Sequence, residues 1–394
     1  MPAASRISPN AQIRTATKWR AQIYQKRQAL LGSKTLLNVY TREHVSHYQQ
    51  ALTVKIAHII LSRGFAGTER STVESCNTQS QDHEVLLILR KNQAKKSGAG
   101  IRDRLDPKVT VAEVSSRFFT RAAIQKILNQ WQPDVAHAHL RRATRLLAKC
   151  NTSAARISTL HIGFNGPHFL AMDGVIAISP WQLNHIPAGF NGHIRWVRNS
   201  LEPHPKPNRE KIEELRGKMG AAMGSYLIGG VGRLSRSKGW DLLIPAFQAA
   251  DIPEAKLCII GEGSQEEKLK SLAGDSKNIA FLGYKANVKD YYPAFDLFVC
   301  PSREEPMGRV VLEAMDAGVK VIASDIEGPR DMLEEFSGIM FKSDDIDSLT
   351  EALKHAYKTR NQAAPQQDLS PHYADAVNRD MVSFYQETLS RLKK

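Results

Sequence analysis

Two glutamates eight positions apart, Glu305 and Glu313, stand in the stretch Pro301-Ser-Arg-Glu-Glu-Pro-Met-Gly-Arg-Val-Val-Leu-Glu-Ala-Met-Asp-Ala-Gly318. Carboxylates can move protons, grip hydroxyls or hold a metal, and their spacing chooses among these. The apolar run Leu297-Phe298-Val299-Cys300 before the stretch reads as a buried parallel strand. After Gly308, the residues Val310, Val311, Ala314 and Met315 recur at helical spacing, and Gly318 supplies a stop. Glu305 therefore falls in a strand-to-helix turn and Glu313 on the helix, about 12 Å further along at roughly 1.5 Å per residue. Two carboxylates that cleave a glycoside with retention stand about 5–5.5 Å apart, and a shared metal would draw them closer. A pair this far apart suits one long ligand with an acid at each end. The turn and helix N-terminus between them offer N–H groups and a positive dipole end, which suit phosphate.

Other groups extend this chemistry. The turn Gly232-Arg-Leu-Ser-Arg-Ser-Lys-Gly239 lies between the strand Tyr226–Val231 and the helix Asp241–Ala249. Arg233 and Lys238 flank it and can share one phosphate cluster, the Arg as a fork and the Lys as a point charge. The first strand, Val54–Leu61, runs into a turn with Gly64 and Gly67 and then a helix, a geometry that aims a helix N-terminus at a ligand. His161 ends the strand Ile157–His161. His137 and His139 alternate with apolar residues in Val135–His139; two His at i and i+2 without a third ligand read as strand-end residues, not a metal pair. Asp345-Ile-Asp347 mimics a DxD metal motif. It precedes the helix Ser348–Tyr357, so capping explains it.

The Glu-x7-Glu pair in its strand-turn-helix setting resembles the signature of retaining glycosyltransferases of family 4. The resemblance runs over roughly residues 54–392 and is most specific in 226–331. It implies an α/β GT-B fold, two Rossmann-like domains facing across a cleft. The helix Asn378–Leu392, with Met381, Phe384, Tyr385 and Leu389 at helical spacing, would return to the N-domain. By the same resemblance Glu305 holds hydroxyls of the donor sugar, and Glu313 the nucleotide ribose. Arg233 and Lys238 take the diphosphate, and Gly67 faces it across the cleft. His161 hydrogen-bonds the sugar as charge develops there, without abstracting a proton. Turns at Gly263 and Tyr284 line the base, and Met307, Gly308, Arg309 and Val310 complete the donor site. Pro306-Met307 stand where Gly-aromatic is common, and Pro306 has no N–H to donate. No metal and no cofactor are implied, the nucleotide sugar being the donor substrate.

The elements that must position these groups fit a chain of 394 residues, long enough for two ordinary domains. Residues 1–53 carry eight Lys or Arg against Glu43 alone and read as a basic, partly disordered extension. Residues 54–201 form the acceptor domain, joined by helix 378–392. The proline-rich segment Glu202–Asn208 opens a stiff linker over 202–210, and 211–377 bind the nucleotide sugar. Residues 1–200 hold 28 Lys and Arg against 10 acids, whereas 201–394 hold 26 against 30. Positive charge confined to one half suggests an acidic partner there, with Lys91, Lys95, Lys96, Arg102 and Arg104 as a candidate contact loop. The expected acceptor is a glycan or lipid-linked glycan, with peripheral contact to anionic membrane and no nucleic acid. Cys76, Cys150, Cys258 and Cys300 show no CxxC spacing, and no apolar run reaches membrane-spanning length. These features fit a cytoplasmic protein with peripheral contact at the inner face of the membrane, and the resemblance implies a role in lipopolysaccharide or other cell-surface polysaccharide synthesis. Two further classes share the motifs: a nucleotide-sugar epimerase on the same fold, which needs acid and base carboxylates in the N-domain, and a non-catalytic nucleotide-sugar-binding protein.

Overall fold

The computed structural model describes residues 53–91, 100–115, 119–204, 206–222 and 224–394. The basic extension up to residue 52, and Lys95 and Lys96, lie outside the described residues. The first sheet collects β1 (Lys55–Ile60), β2 (Glu84–Arg90), β3 (Thr110–Val114), β4 (Val135–His139), β5 (Ala155–Leu160), β6 (Gly174–Ala177) and β7 (His193–Trp196). Its order is β3-β2-β1-β4-β5-β6-β7, parallel throughout. The helices α1 (Gly67–Gln79), α2 (Thr120–Trp131) and α3 (Leu140–Leu147) serve as crossovers. Parallel strands need both faces covered, which is why the interior strands β1, β4 and β5 are buried along nearly their whole length. Strand order reverses between β1 and β4, and a crevice opens at such a point beyond the strand C-termini. The register sets His58 of β1 beside His137 of β4, and Ile60 beside His139.

After α4 (Arg209–Lys218), a second parallel sheet runs in the order β10-β9-β8-β11-β12-β13. Its strands are β8 (Tyr226–Val231), β9 (Ala255–Ile260), β10 (Ile279–Phe281), β11 (Leu297–Cys300), β12 (Lys320–Ser324) and β13 (Ile339–Phe341). Between them lie α5 (Trp240–Ala250), α6 (Glu266–Ala273), α7 (Arg309–Asp316), α8 (Glu327–Glu335) and α9 (Ile346–Lys358). Asn208 accepts the Lys211 N–H at 2.9 Å and so starts α4 within the expected linker. Asp345 caps α9 by accepting the Ser348 N–H at 2.9 Å, the role its position suggested.

The last helix, α10 (Ala374–Leu392), leaves the second domain and covers the first sheet. Val377, Met381, Phe384 and Tyr385 are buried against Val54, Ile56, Val135 and Ile157. Outgoing and returning chains meet where Leu201 donates to the His372 carbonyl at 2.7 Å and accepts from Ala374 at 3.1 Å. In the second domain the loops beyond the strands approach too closely for side chains. A Cβ on Gly239, at φ +68°, would stand 1.9 Å from the Pro301 carbonyl oxygen, and one on Gly261, at φ +153°, 1.9 Å from that of Gly232. Only glycine permits this, and it brings the turns after β8, β9 and β11 into one backbone-walled surface.

Candidate active site between the two sheets

Lys238 and Glu305 meet as an ion pair at this glycine surface, both partly exposed. Burial works against the Lys238 ammonium, but Glu305 more than offsets it and raises the Lys238 pKa above the ordinary lysine value. Arg233 is exposed, close enough to oppose the Lys238 charge, and its carbonyl accepts the Trp240 indole N–H at 2.9 Å. The structure thus gathers Arg233, Lys238 and Glu305, a cation cluster with one carboxylate. Arg303 braces the loop that carries Glu305. It donates to Asp241 at 2.7 and 3.0 Å and to Asp344 at 2.7 Å. Gly308, at φ +86°, caps α7 in the left-handed region. The Pro306 carbonyl accepts the Trp181 indole N–H at 2.7 Å, so a residue without a donor serves as an acceptor between domains.

Glu313 is buried, and both of its carboxylate oxygens have partners. Oε1 accepts from Arg70 at 2.7 Å and from Arg309 at 3.1 Å, and Oε2 accepts from the Tyr292 hydroxyl at 2.9 Å. Burial pushes its pKa up, but Arg70 and Arg309 prevail and leave it below the ordinary glutamate value. Arg309 is buried with it: the guanidinium bridges Glu74 and Glu313 and leaves Nη1 without a partner. Met307 is likewise buried, with its sulfur 3.6 Å from the Asn199 amide. Glu313 and Arg309 on α7 reach the N-domain helix α1 through Arg70 and Glu74. Glu74 also accepts from Ser200 at 2.7 Å.

Sequence reasoning missed Arg70, Glu74 and Tyr292. A signal was present: Arg70 and Glu74 sit at i and i+4 on α1, as Arg309 and Glu313 do on α7. The two helices pair crosswise, Arg70 with Glu313 and Glu74 with Arg309. Among the other expected residues, Gly67 is the exposed first residue of α1, where a Cβ would meet nothing within 4 Å. Gly263 lies beyond β9, and a Cβ there would stand 2.3 Å from the Leu234 carbonyl oxygen. Tyr284 and Val310 are partly exposed.

On the N-domain side His161 follows β5 and lines a small opening together with Ser71, Ser75, Asn199 and Ser200. It is not alone. His58, His137 and His139 place ring nitrogens within 4.8 Å of one another, so β1 supplies the third histidine that the spacing of His137 and His139 lacked. Every ring nitrogen of these three is engaged. His58 meets Gln79 at 2.8 Å and His139 at 2.9 Å; His137 meets Tyr385 at 2.6 Å and Thr159 at 2.8 Å; His139 also meets His161 at 3.2 Å. Burial lowers the pKa of all four, to about 4 for His58 and His161.

Residues 211–368 match the family model described as glycosyl transferases group 1, and the two facing parallel sheets have the GT-B arrangement. The chain is a glycosyltransferase with the GT-B fold. This glycosyltransferase is similar to the lipopolysaccharide core biosynthesis glycosyltransferase LpsD of Rhizobium meliloti (strain 1021), 27% identical over 249 residues, 61% of this chain and 69% of that protein. LpsE of the same organism, with the same description, is 29% identical over 237 residues, 59% of this chain and 67% of its own length. Among solved structures, Anabaena Alr3699/HepE in complex with UDP and glucose superposes with a TM-score of 0.68 at 19% identity, covering 86% of this chain and 99% of that one.

Two consequences of the glycosyltransferase's buried charges are measurable. Replacing Arg309 by Ala leaves Glu74 and Glu313 buried without their shared cation. That should cost about 3–5 kcal/mol and lower the urea midpoint, whereas an unchanged midpoint would mean the crosswise pairing does not hold the domains. The histidines set an acid limit. Unfolded histidine titrates near 6.5, above the folded value of about 4 for His58. Below pH 6.5 the unfolded state therefore binds more protons, and stability present above that pH is lost as pH falls towards 4. One such site carries up to about 3 kcal/mol, so the melting temperature should drop steadily between pH 6.5 and 4.5.

Proposed function

We propose that the enzyme moves a sugar from a nucleotide sugar to a glycan or lipid-linked acceptor with retention, in the manner of family 4, during synthesis of lipopolysaccharide or a related surface polysaccharide. The observation that carries this reading is the Lys238–Glu305 pair on the glycine surface, with Arg233 beside it. A diphosphate needs fixed positive charge as it departs, and a reacting sugar needs its hydroxyls held near the anomeric carbon. Cation and carboxylate in contact meet both demands. Likeness to proteins named for lipopolysaccharide core biosynthesis, and to one solved with UDP and glucose, supports the donor and acceptor classes.

In this reading Arg233, Lys238 and the N–H groups opening α7 stabilise the leaving diphosphate, and Glu305 holds sugar hydroxyls. The bond from C1 to the phosphate oxygen breaks as the acceptor oxygen approaches on the same face. The acceptor's proton passes to the leaving phosphate oxygen, so no protein base is required. Both acids of α1 are occupied elsewhere, Glu69 by the Ala66 N–H at 2.8 Å and Glu74 by Arg309 and Ser200. No metal or cofactor enters the mechanism. The acceptor is met by the basic N-domain at the inner face of an anionic membrane; among the described residues no helix is long and apolar enough to cross it.

Incubation with a panel of nucleotide sugars should release nucleotide from one of them in an acceptor-dependent way, and the activity should survive EDTA. Glu305→Ala should lower kcat by about 10²-fold, because a grip beside the reacting carbon acts chiefly in the transition state. Intact turnover in that variant would sink the assignment of Glu305. The membrane contact is tested by sedimentation with phosphatidylglycerol vesicles. Binding should be strong in 0.01 M salt and weak in 0.15 M, as the screening length falls from about 30 to about 8 Å. Equal binding to neutral vesicles would favour a soluble acceptor.

A further inference from the structure

The buried histidines form a directional chain, and its direction is set by an atom that can only accept. The Ala374 carbonyl of α10 accepts the Asn378 side-chain N–H at 2.8 Å. Asn378 therefore turns its oxygen to Gln79, whose amide N–H donates to it at 2.9 Å, with the Met381 sulfur also 3.3 Å from that nitrogen. Gln79 in turn presents its carbonyl oxygen to His58 Nε2 at 2.8 Å. An oxygen there requires a proton on Nε2, and a neutral imidazole carries only one. His58 Nδ1 is then an acceptor and takes the Nε2–H of His139 at 2.9 Å. His139 Nδ1 is an acceptor by the same rule and takes the Nε2–H of His161 at 3.2 Å. The last ring, His161, lines with His139 a small opening among Ser71, Ser75, Asn199 and Ser200.

We propose that Asn378, Gln79, His58 and His139 are positioning residues that hold His161 as its Nε2–H tautomer, so that Nδ1 presents a lone pair to a hydroxyl of the bound sugar. The proposal rests on the donor-site reading above and gives it a sign. Positive charge grows on a sugar ring as its leaving group departs, and a lone pair facing a hydroxyl beside that ring complements it. An Nδ1–H, or an imidazolium, would oppose it. Burial of all four rings favours their neutral forms, as the chain requires. His137 stays outside the chain, with its nitrogens occupied by Tyr385 and Thr159 and its ring centroid 4.3 Å from that of His139. It acts as a spacer. The donor sugar implied is one with a free hydroxyl at that place, and its deoxy analogue should be a poor substrate.

The chain can be reversed without removing a histidine. Gln79→Met takes away the terminal acceptor while keeping an unbranched side chain. His58 then gains by protonating Nδ1 towards His139, and each ring beyond follows, ending with a proton on His161 Nδ1. Two-bond proton–nitrogen correlation spectra of the full chain labelled with ¹⁵N-histidine, assigned with His161→Gln, read the tautomer directly and without any substrate. The wild type should show His161 as Nε2–H, and Gln79→Met should show Nδ1–H with kcat at least tenfold lower and KM nearly unchanged. A melting transition of Gln79→Met close to the wild type's guards against a variant that simply unfolds. An Nδ1–H or mixed His161 in the wild type would overturn the proposal. So would a tautomer indifferent to residue 79, or stoichiometric metal on the histidines of the purified protein. Because the spectra need no donor, a correct tautomer in a protein inactive with every nucleotide sugar would leave the relay standing and reject only the donor reading.

Discussion

The crosswise pairing of Arg70 with Glu313 and of Glu74 with Arg309 is the constraint on which the remainder of the site depends. Four charges sit at or below the surface where helices from two domains meet, and taking charges out of water costs several kcal/mol per ion unless each is compensated. The compensation is geometric. Each helix carries its cation and anion one turn apart, so the helices satisfy one another only in one alignment. The domains are thereby held with the glycine surface of one facing the strand ends of the other.

The two glutamates of one motif consequently do different work. Glu305 is partly exposed and meets a single cation, Lys238, on a surface that a ligand can share. Glu313 is buried and its oxygens accept three hydrogen bonds, from two arginines and a tyrosine. A carboxylate in the first situation can exchange partners at little cost, whereas one in the second cannot leave its cations without a large penalty. Environment, not residue type, separates the accessible carboxylate from the one that holds the frame. The bracing of the neighbouring loop by Arg303 has the same character: its bonds to Asp241 and Asp344 fix where Glu305 can point.

On the opposite side the N-domain places a polar thread through an apolar sheet. His58, His137 and His139 are tolerable there because each ring nitrogen has a partner, and an unpaired one would cost the full desolvation of that group. Helix α10 matters for this reason as well as for its apolar face. It contributes Phe384 to the core beneath the first sheet, and also Tyr385 and Asn378 to the hydrogen bonds around the histidines. The return of the chain to its first domain therefore completes both the packing and the polar network.

The strands and most helices are legible in the linear pattern, because continuous apolar runs between glycine turns admit only buried parallel strands. The Glu-x7-Glu spacing and the Arg233–Lys238 turn are legible as well, since they depend on residues close in sequence. Several features were beyond that reach. Nothing near Glu313 discloses that Arg70, 243 positions earlier, would occupy it. Nothing near His139 discloses that His58 stands 81 positions away at hydrogen-bond distance. Sequence by itself determined the two α/β domains, the cations and the carboxylate at the glycine turn, because helical and strand periodicity and local charge are properties of short segments. The burial of Glu313, Arg309 and Met307, and the direction of the histidine chain, were decided by tertiary structure alone. Desolvation and hydrogen-bond partnership belong to the groups that surround a side chain in space, and those come from distant parts of the chain.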